Sequence, residues 1–479
     1  MGCWSSQEST KKGDLSKPGN YRGIMLLEVS YKIIAIIIHG RLQPIVDSID
    51  HEPQCGFRPG RGCQDAIFTV KMAMKKRSEH SVETWILFLD LVKAFDRVPR
   101  DLLWSVLERF GAPQKLVSVI KSLHKNFRVN FEVDNVVHSI NCTIGVKQGD
   151  ILGPVLFVLY IAAIMITWRK CYNRPLCIFR TKKDFRMTGR RYNAKGTDFS
   201  VDDSEYADDT AVLFTCRQEV VQYAPLLFNH FHRFGTEVHA GDLSQPDKPP
   251  KTEILFVAGP NSENPNLDPI TFGNDKFIPI TNSFCYLGSQ LSGDNSDETD
   301  VIYRIKRGSN AFGALKSNIF ANYRISPKAK ASVYESLNLP IVLYGSEIGC
   351  LTKKLYDLLR LFHRRCVRTM CRINLLHVRK HRITTKSLLT RLGLKSIDCY
   401  VTRRQLAWAG HVARMSFDRI PRKMLSSWVV SKRPRGSPKF TYGRGLMKSL
   451  KKANVAKCSW HDLANDKSGW SCMLCALDF

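Results

Sequence analysis

Trp85-Ile-Leu-Phe-Leu-Asp90 and Tyr206-Ala-Asp-Asp-Thr-Ala-Val-Leu-Phe214 are the two stretches on which the fold turns. The first is five consecutive apolar residues running straight into an aspartate, the pattern of a strand buried on both faces. The second sets a pair of aspartates before a β-prone run, the pattern of a hairpin with Asp208 and Asp209 at its tip. A carboxylate at the mouth of an apolar strand is costly to desolvate unless a cation or a partner meets it. Two such strands side by side would bring Asp90 and Asp208 round a common point, hard oxygen ligands of the kind that suit Mg²⁺. Two ions about 4 Å apart would activate an attacking hydroxyl and stabilise a leaving pyrophosphate. Taken alone, Asp-Asp in a turn is also ordinary solvated turn chemistry, so the company these residues keep has to decide.

Outward from these strands the chain reads as a mixed α+β protein. Tyr21 to Leu42 is an apolar run that predicts a helix. Gln54-Cys-Gly-Phe-Arg-Pro-Gly-Arg-Gly62 is a glycine- and arginine-rich loop, followed by a helix to about Arg77. Pro99 opens a helix with Leu102, Leu103, Val106, Leu107 and Phe110 on its inner side, stopped by Gly111 and Pro113. Ile151 to Thr167 is apolar for almost a membrane span, but Gly153 and Pro154 near its start and its plain flanks read as a buried core helix. Residues 169–204 look like a variable, charged insertion. Phe284 to Gly288 is a strand and turn, and beyond Asp297 the pattern becomes helical. Between Leu355 and Met370 the apolar residues form one stripe, while Arg360, Arg364, Arg365 and Arg368 lie largely off it.

The 72 Lys and Arg against 43 Asp and Glu give a net charge of +29 over 479 residues. Residues 1–300 are nearly neutral, at +1; residues 301–479 carry +28. A field of that strength attracts a polyanion, and nucleic acid is the commonest one. An acidic membrane surface is the weaker rival, because no lipidation signal or hydrophobic tail accompanies the charge. Fifteen scattered cysteines read as reduced thiols, and the N-terminus is not a signal peptide, so a cytoplasmic or nuclear protein is expected rather than a secreted one.

Collinear blocks then supply the company. Phe88 to Asp96, Gly145-Val-Lys-Gln-Gly-Asp-Ile-Leu-Gly-Pro154 and Tyr206 to Asp209 resemble motifs A, B and C of reverse transcriptases. Asn20 to Ile24 and Gln54 to Arg61 are similar to the fingers motifs of LINE and group II intron enzymes. Lys251-Thr-Glu253 resembles motif D, Phe284 to Ser289 the primer grip, and Arg403 to Met415 the region after the thumb in LINE proteins. The resemblance runs from about Lys12 to near the C-terminus, to non-LTR (LINE-type) retrotransposon reverse transcriptases. It implies an RNA-directed DNA polymerase using an RNA template, a DNA primer and dNTPs, with Asp90, Asp208 and Asp209 around two Mg²⁺ ions, or Mn²⁺. It places Phe95 as the steric gate against a 2′-hydroxyl. Gln148 and Gly149 would line the nucleotide pocket, and Arg58 and Arg61 would meet the triphosphate through their guanidinium forks. Lys251 would be the general acid for pyrophosphate. Against these stand plainer readings: Phe95 as a core aromatic, Arg58, Arg61 and Lys251 as solvated charges.

The implied architecture is a right hand: fingers at 1–84, truncated at the N-terminus; a palm with an antiparallel sheet at 85–296; a helical thumb at 297–375; and a mainly helical basic region at 376–479. Cys458, His461, Cys472 and Cys475 offer a loosely spaced Zn²⁺ set, although Trp460, Leu463 and Trp470 interleave as in an ordinary helix. Ile348 stands where the family usually has a tryptophan, which bears on thumb packing. Two functions remain from this reading: a working polymerase, favoured by the intact aspartates, and a truncated, inactive nucleic-acid-binding relic. RNA-directed RNA synthesis is disfavoured by Tyr206 to Asp209 and by Phe95.

Overall fold

A computed structural model describes residues 4–10, 21–49, 51–125, 127–133, 136–182, 195–245, 248–259, 266–273, 275–434, 441–456 and 459–478. Its centre is a five-stranded sheet, in which the strand Thr84–Leu89 lies between Glu253–Val257 and Asp209–Phe214. Asp203–Tyr206 and the short Ile280–Thr281 are the two edges. The strand Thr84–Leu89 is antiparallel to both neighbours, with Leu89 opposite Thr210 and Phe88 opposite Glu253.

Both faces of this sheet are buried, and the period of two shows which core takes which residue. Trp85, Leu87, Leu89, Val212, Phe214, Ile254 and Phe256 enter one core, with the helices Val29–Ser48, Arg100–Arg109, Gln114–His124, Leu152–Cys171 and Arg217–Arg233. Ile86, Phe88, Ala211, Leu213, Leu255 and Val257 enter the other, with the helix Cys63–Ser78. Phe284 and Tyr286 pack against Phe88 on this second face, and the core behind it draws on segments from far along the chain. The helices Ile397–Ala413, Ile420–Ser426, Tyr442–Lys452, Trp460–Asn465 and Lys467–Ala476 all contribute, with Trp408 and Tyr442 edge-on to Phe68 at 5.5 and 5.4 Å. Thus the C-terminal region is built into the palm and fingers core.

A third core belongs to the thumb. Glu298–Ala314 packs against Lys353–Cys371, where Leu355, Leu359, Phe362, Cys366 and Met370 are buried as their spacing required. This core extends past residue 375 to Leu388, Leu392 and Val401. Ile348 is fully buried in the palm-side core, so the smaller side chain still fills an interior position.

Several expectations meet the structure differently. The helix expected from Tyr21 begins only at Val29, extending to Ser48; Tyr21–Leu26 is a strand paired antiparallel with Trp4–Thr10. Gly23, a poor helix residue, sits in that strand, and Met25 N donates to Gln148 O at 3.1 Å. The apolar helix Leu152–Cys171 is a core helix, while Val29–Ser48, also long and apolar enough to span a membrane, exposes Ile33, Ile36 and Ile37. Within 169–204, Arg169 and Lys170 close the core helix and Ile178–Thr181 pairs with Thr197–Ser200; residues 183–194, including Arg190 and Arg191, lie outside the described residues.

Candidate active site

Asp90 follows the last residue of the central strand, and Asp209 opens its neighbour, so the antiparallel register alone brings them to the same sheet end. Tyr206 pairs with Asp209 across a two-residue turn, Ala207-Asp208. Ala207 takes a left-handed φ of +58°, a conformation costing about 1 kcal/mol or more for a residue with a Cβ. Such a turn persists only where its surroundings hold it. The Asp209 carboxyl is pushed up to about 6, first by lost hydration and then by the charges of Asp208 and Asp90. Three carboxylates at one sheet end therefore repel each other in the absence of a cation.

Lys251 is brought to the same place, its Nζ 3.4 Å from Asp90 Oδ2, with most of its side chain in solvent. Thr252, fully buried, accepts from Asp90 N at 3.1 Å, and His239 N donates to Asp90 O at 2.8 Å. Asp90 is thus fixed from both sides of its own peptide.

Phe95 lies on the turn after Asp90, half-buried and stacked on Phe157 of the core helix at 4.3 Å and 17°. Its carbonyl accepts from Val146 N at 2.8 Å, and Gly145 N donates to Val98 O at 2.9 Å, so the loop carrying Gln148 and Gly149 is laced to the Phe95 turn. Gly149 has φ +92°, open to glycine and strained for other residues. Beneath the loop lies Lys147, only 1% exposed, which donates to Leu123 O at 2.9 Å and sits over the rings of Tyr31 and Phe127 at 4.4 and 4.6 Å. Burial pushes its ammonium down to about 8, helped by Arg100 and opposed by Asp150. Nothing in the local sequence marked Lys147 as interior.

The two loop arginines differ. Arg58 is half-buried, donates to His51 O at 2.7 Å and, among the described residues, leaves its Nε without a partner and forms no ion pair. Burial, and then the nearby Arg61, lower its pKa. Arg61 is engaged with Glu52 at 2.5 Å and with the Glu52 carbonyl at 2.7 Å. Glu52 is shared with Arg419 from the C-terminal region at 2.8 Å. The structure therefore gathers Asp90, Asp208, Asp209 and Lys251 at one point and links Phe95 to the Gln148–Gly149 loop, while Arg61 is held in a protein ion pair.

Sequence reading missed the polar layer behind the turn. Glu205, fully buried, takes His51 Nε2 at 2.8 Å and lies 3.8 Å from Arg169, which also grips Asp203 at 2.6 Å. The only available signal was two acidic residues, Asp203 and Glu205, just ahead of the hairpin that begins at Tyr206. Of the expected zinc set, Cys458 lies outside the described residues, and Cys472 and Cys475 are exposed free thiols. Among the described residues no three His, Cys, Asp or Glu side chains converge closely enough to hold a metal ion unaided. For the aspartates this is compatible with Mg²⁺, which commonly takes one or two carboxylates and fills its shell with water and substrate phosphates.

Comparison with known proteins agrees with this geometry. The family model of reverse transcriptases (RNA-dependent DNA polymerases) matches residues 10–241. A putative 115 kDa protein of the type-1 retrotransposable element R1DM of Drosophila melanogaster is 25% identical over 339 residues, 70% of this chain and 29% of that protein. A probable RNA-directed DNA polymerase from transposon BS of the same organism is 26% identical over 366 residues, 74% of this chain and 36% of that protein. The chain thus spans about a third of the length of these relatives. A solved Candida tropicalis telomerase, in complex with a fragment of telomeric RNA, superposes at a TM-score of 0.41 and 10% identity, covering 99% of this chain and 64% of that one. Reverse transcriptases as a family use divalent metal ions. Residues 10–241 thus form a reverse transcriptase domain, in a chain similar to the reverse transcriptases of non-LTR retrotransposable elements.

Proposed function

We propose that this chain copies an RNA template into DNA, adding dNTPs to the 3′-hydroxyl of a DNA primer, with Asp90, Asp208 and Asp209 as the residues that hold Mg²⁺. The observation that carries the proposal is the strand register that brings Asp90, Asp208 and Asp209 to one sheet end, where lost hydration and then their mutual charge raise Asp209 to about 6. Divalent cations bound there would activate the primer hydroxyl and neutralise the departing pyrophosphate.

The chain's own groups do the rest. Lys251, beside Asp90, is placed to give a proton to the leaving pyrophosphate. Phe95, braced by Phe157, presents a ring that would exclude a 2′-hydroxyl. Gln148 and Gly149 line the nucleotide, Gly149 because its backbone conformation excludes a side chain. Arg58, in no ion pair among the described residues, is the arginine we assign to the triphosphate; Arg61 supports the same loop through Glu52. The basic thumb helix Lys353–Cys371 would hold the primer–template by its phosphates. We place its action in the nucleus or cytoplasm, in keeping with its reduced cysteines.

Primer extension on an RNA template with Mg²⁺ and dNTPs, wild type against Asp208→Ala, tests the proposal. Extension by wild type, abolished in the variant while template binding persists, is the expected result. Salt-sensitive template binding without extension by wild type would replace it with the reading of an inactive nucleic-acid-binding relic.

A further inference from the structure

Loop Pro53–Gly56 lies flush against the back of the Ala207-Asp208 turn. Cys55 N donates to Glu205 O at 2.8 Å and Glu205 N to Pro53 O at 3.0 Å, adding the loop as a short parallel edge to the aspartate hairpin. Gly56 fits only because it lacks a side chain: a Cβ there would stand 2.4 Å from Ala207 N. Into this seam projects Gln54, with no solvent exposure at all. Its Oε1 accepts from Ala207 N at 3.0 Å and from Gly56 N at 2.8 Å; its Nε2 donates to Glu205 Oε2 at 3.3 Å and more weakly to Ala207 O at 3.5 Å. One buried amide therefore satisfies the turn residue that carries positive φ, on both its N–H and its carbonyl.

We propose that Gln54 is a positioning residue for the metal-binding turn: by holding the Ala207 peptide it sets where Asp208 and Asp209 face Asp90. The inference rests on the aspartates being the metal site, and adds a residue outside the palm to that site. It also gives the loop a second task. Arg58, four residues beyond Gln54, is anchored to His51, and His51 is bound to Glu205 of the hairpin. The arginine assigned to the triphosphate and the carboxylates assigned to the metals thus share one rigid frame, and an error in the seam displaces both together.

Gln54→Met keeps length and burial while removing all four hydrogen bonds. Gln54→Glu, held protonated in this buried seam beside the Glu205 carboxylate, keeps the two short acceptor bonds and offers its O–H in place of the Nε2 donor. Mn²⁺ binding to the full chain, read by electron paramagnetic resonance without substrate, should weaken at least about fivefold in Gln54→Met and less than threefold in Gln54→Glu. The Mg²⁺ concentration for half-maximal extension should rise in parallel, with primer–template affinity within twofold of wild type. Wild-type metal affinity in a folded Gln54→Met protein would overturn the inference. So would extension lost equally at every metal concentration, which would indicate general loss of structure. Failure of the wild type to bind Mn²⁺ at all would instead overturn the metal-site reading on which the inference stands, and the inference with it.

Discussion

Replacing Asp297 by Asn should destabilise the whole hand by about 3–5 kcal/mol, the usual consequence of removing one partner from a buried ion cluster. Asp297 lies just before the first thumb helix and is 6% exposed. It accepts Lys71 Nζ at 3.1 Å and Lys75 Nζ at 2.5 Å, both from the helix Cys63–Ser78, and Cys350 N at 2.6 Å. Asparagine can keep the Cys350 bond. It leaves Lys71 with Asp300 alone, at 3.4 Å, and Lys75 without an ion partner among the described residues. At roughly 2–4 °C per kcal/mol for a large domain, the melting temperature should fall on the order of 10 °C. In the double variant with Lys75→Met, part of the loss should return, with a coupling of about 1 kcal/mol or more. The pH dependence has a definite sign. Burial alone would push the Asp297 carboxyl up, but the ammonium groups of Lys75 and Lys71 outweigh it and hold it well below the usual carboxylate range. A carboxyl depressed on folding contributes stability above its unfolded pKa of about 4, lost as the pH falls towards the folded value. The gap between wild type and Asp297→Asn should be full at pH 7 and narrow progressively as the pH falls from about 4 to about 2. Thermal melts across this range test this; a loss under about 1 kcal/mol at pH 7, or a gap that ignores pH, would refute the reasoning.

Phe95→Val should raise the ratio of ribonucleotide to deoxyribonucleotide kcat/KM by about tenfold or more; an unchanged ratio would make Phe95 a packing residue on Phe157. Among the described residues Arg364, Arg365 and Arg368 form no ion pairs with carboxylates, so replacing all three by Ala should make the slope of log affinity against log salt shallower by about 2 to 3. A uniform loss of affinity with the slope intact would place the nucleic acid elsewhere. Trp408→Ala, removing a 7% exposed ring from the edge of Phe68, should cost about 3–5 kcal/mol in urea denaturation; a cost under about 1 kcal/mol would contradict a shared core.

What the sequence made legible was whatever depends on short-range periodicity or on a motif held within a few residues. The buried strand ending at Asp90, the Asp208–Asp209 tip and the stripe from Leu355 to Met370 are all of this kind, and register then brings the aspartates together without further instruction. Lys251 was readable only through its resemblance, since no local pattern links it to a residue 161 positions earlier. Gln54 and Lys147 were illegible for a related reason. Their polar side chains look solvated until distant segments, the Ala207 turn in one case and Tyr31 and Phe127 in the other, close over them. The strand at Tyr21–Leu26 misled because an apolar run does not itself choose between helix and sheet; pairing with Trp4–Thr10 does.

The shared core on the second face of the palm sheet also has a consequence in time. Ile86 and Phe88 are made well before Trp408, Leu446, Trp460 and Leu474, which join the same core. At about 5–20 residues per second, a ribosome needs some tens of seconds to travel from Phe88 to Leu474. Throughout that interval Phe68 and the helix Cys63–Ser78, which cover one face of the sheet, wait for the rings of Trp408 and Tyr442. The interior behind the aspartate-bearing strands is therefore completed only after the intervening thumb has been synthesised.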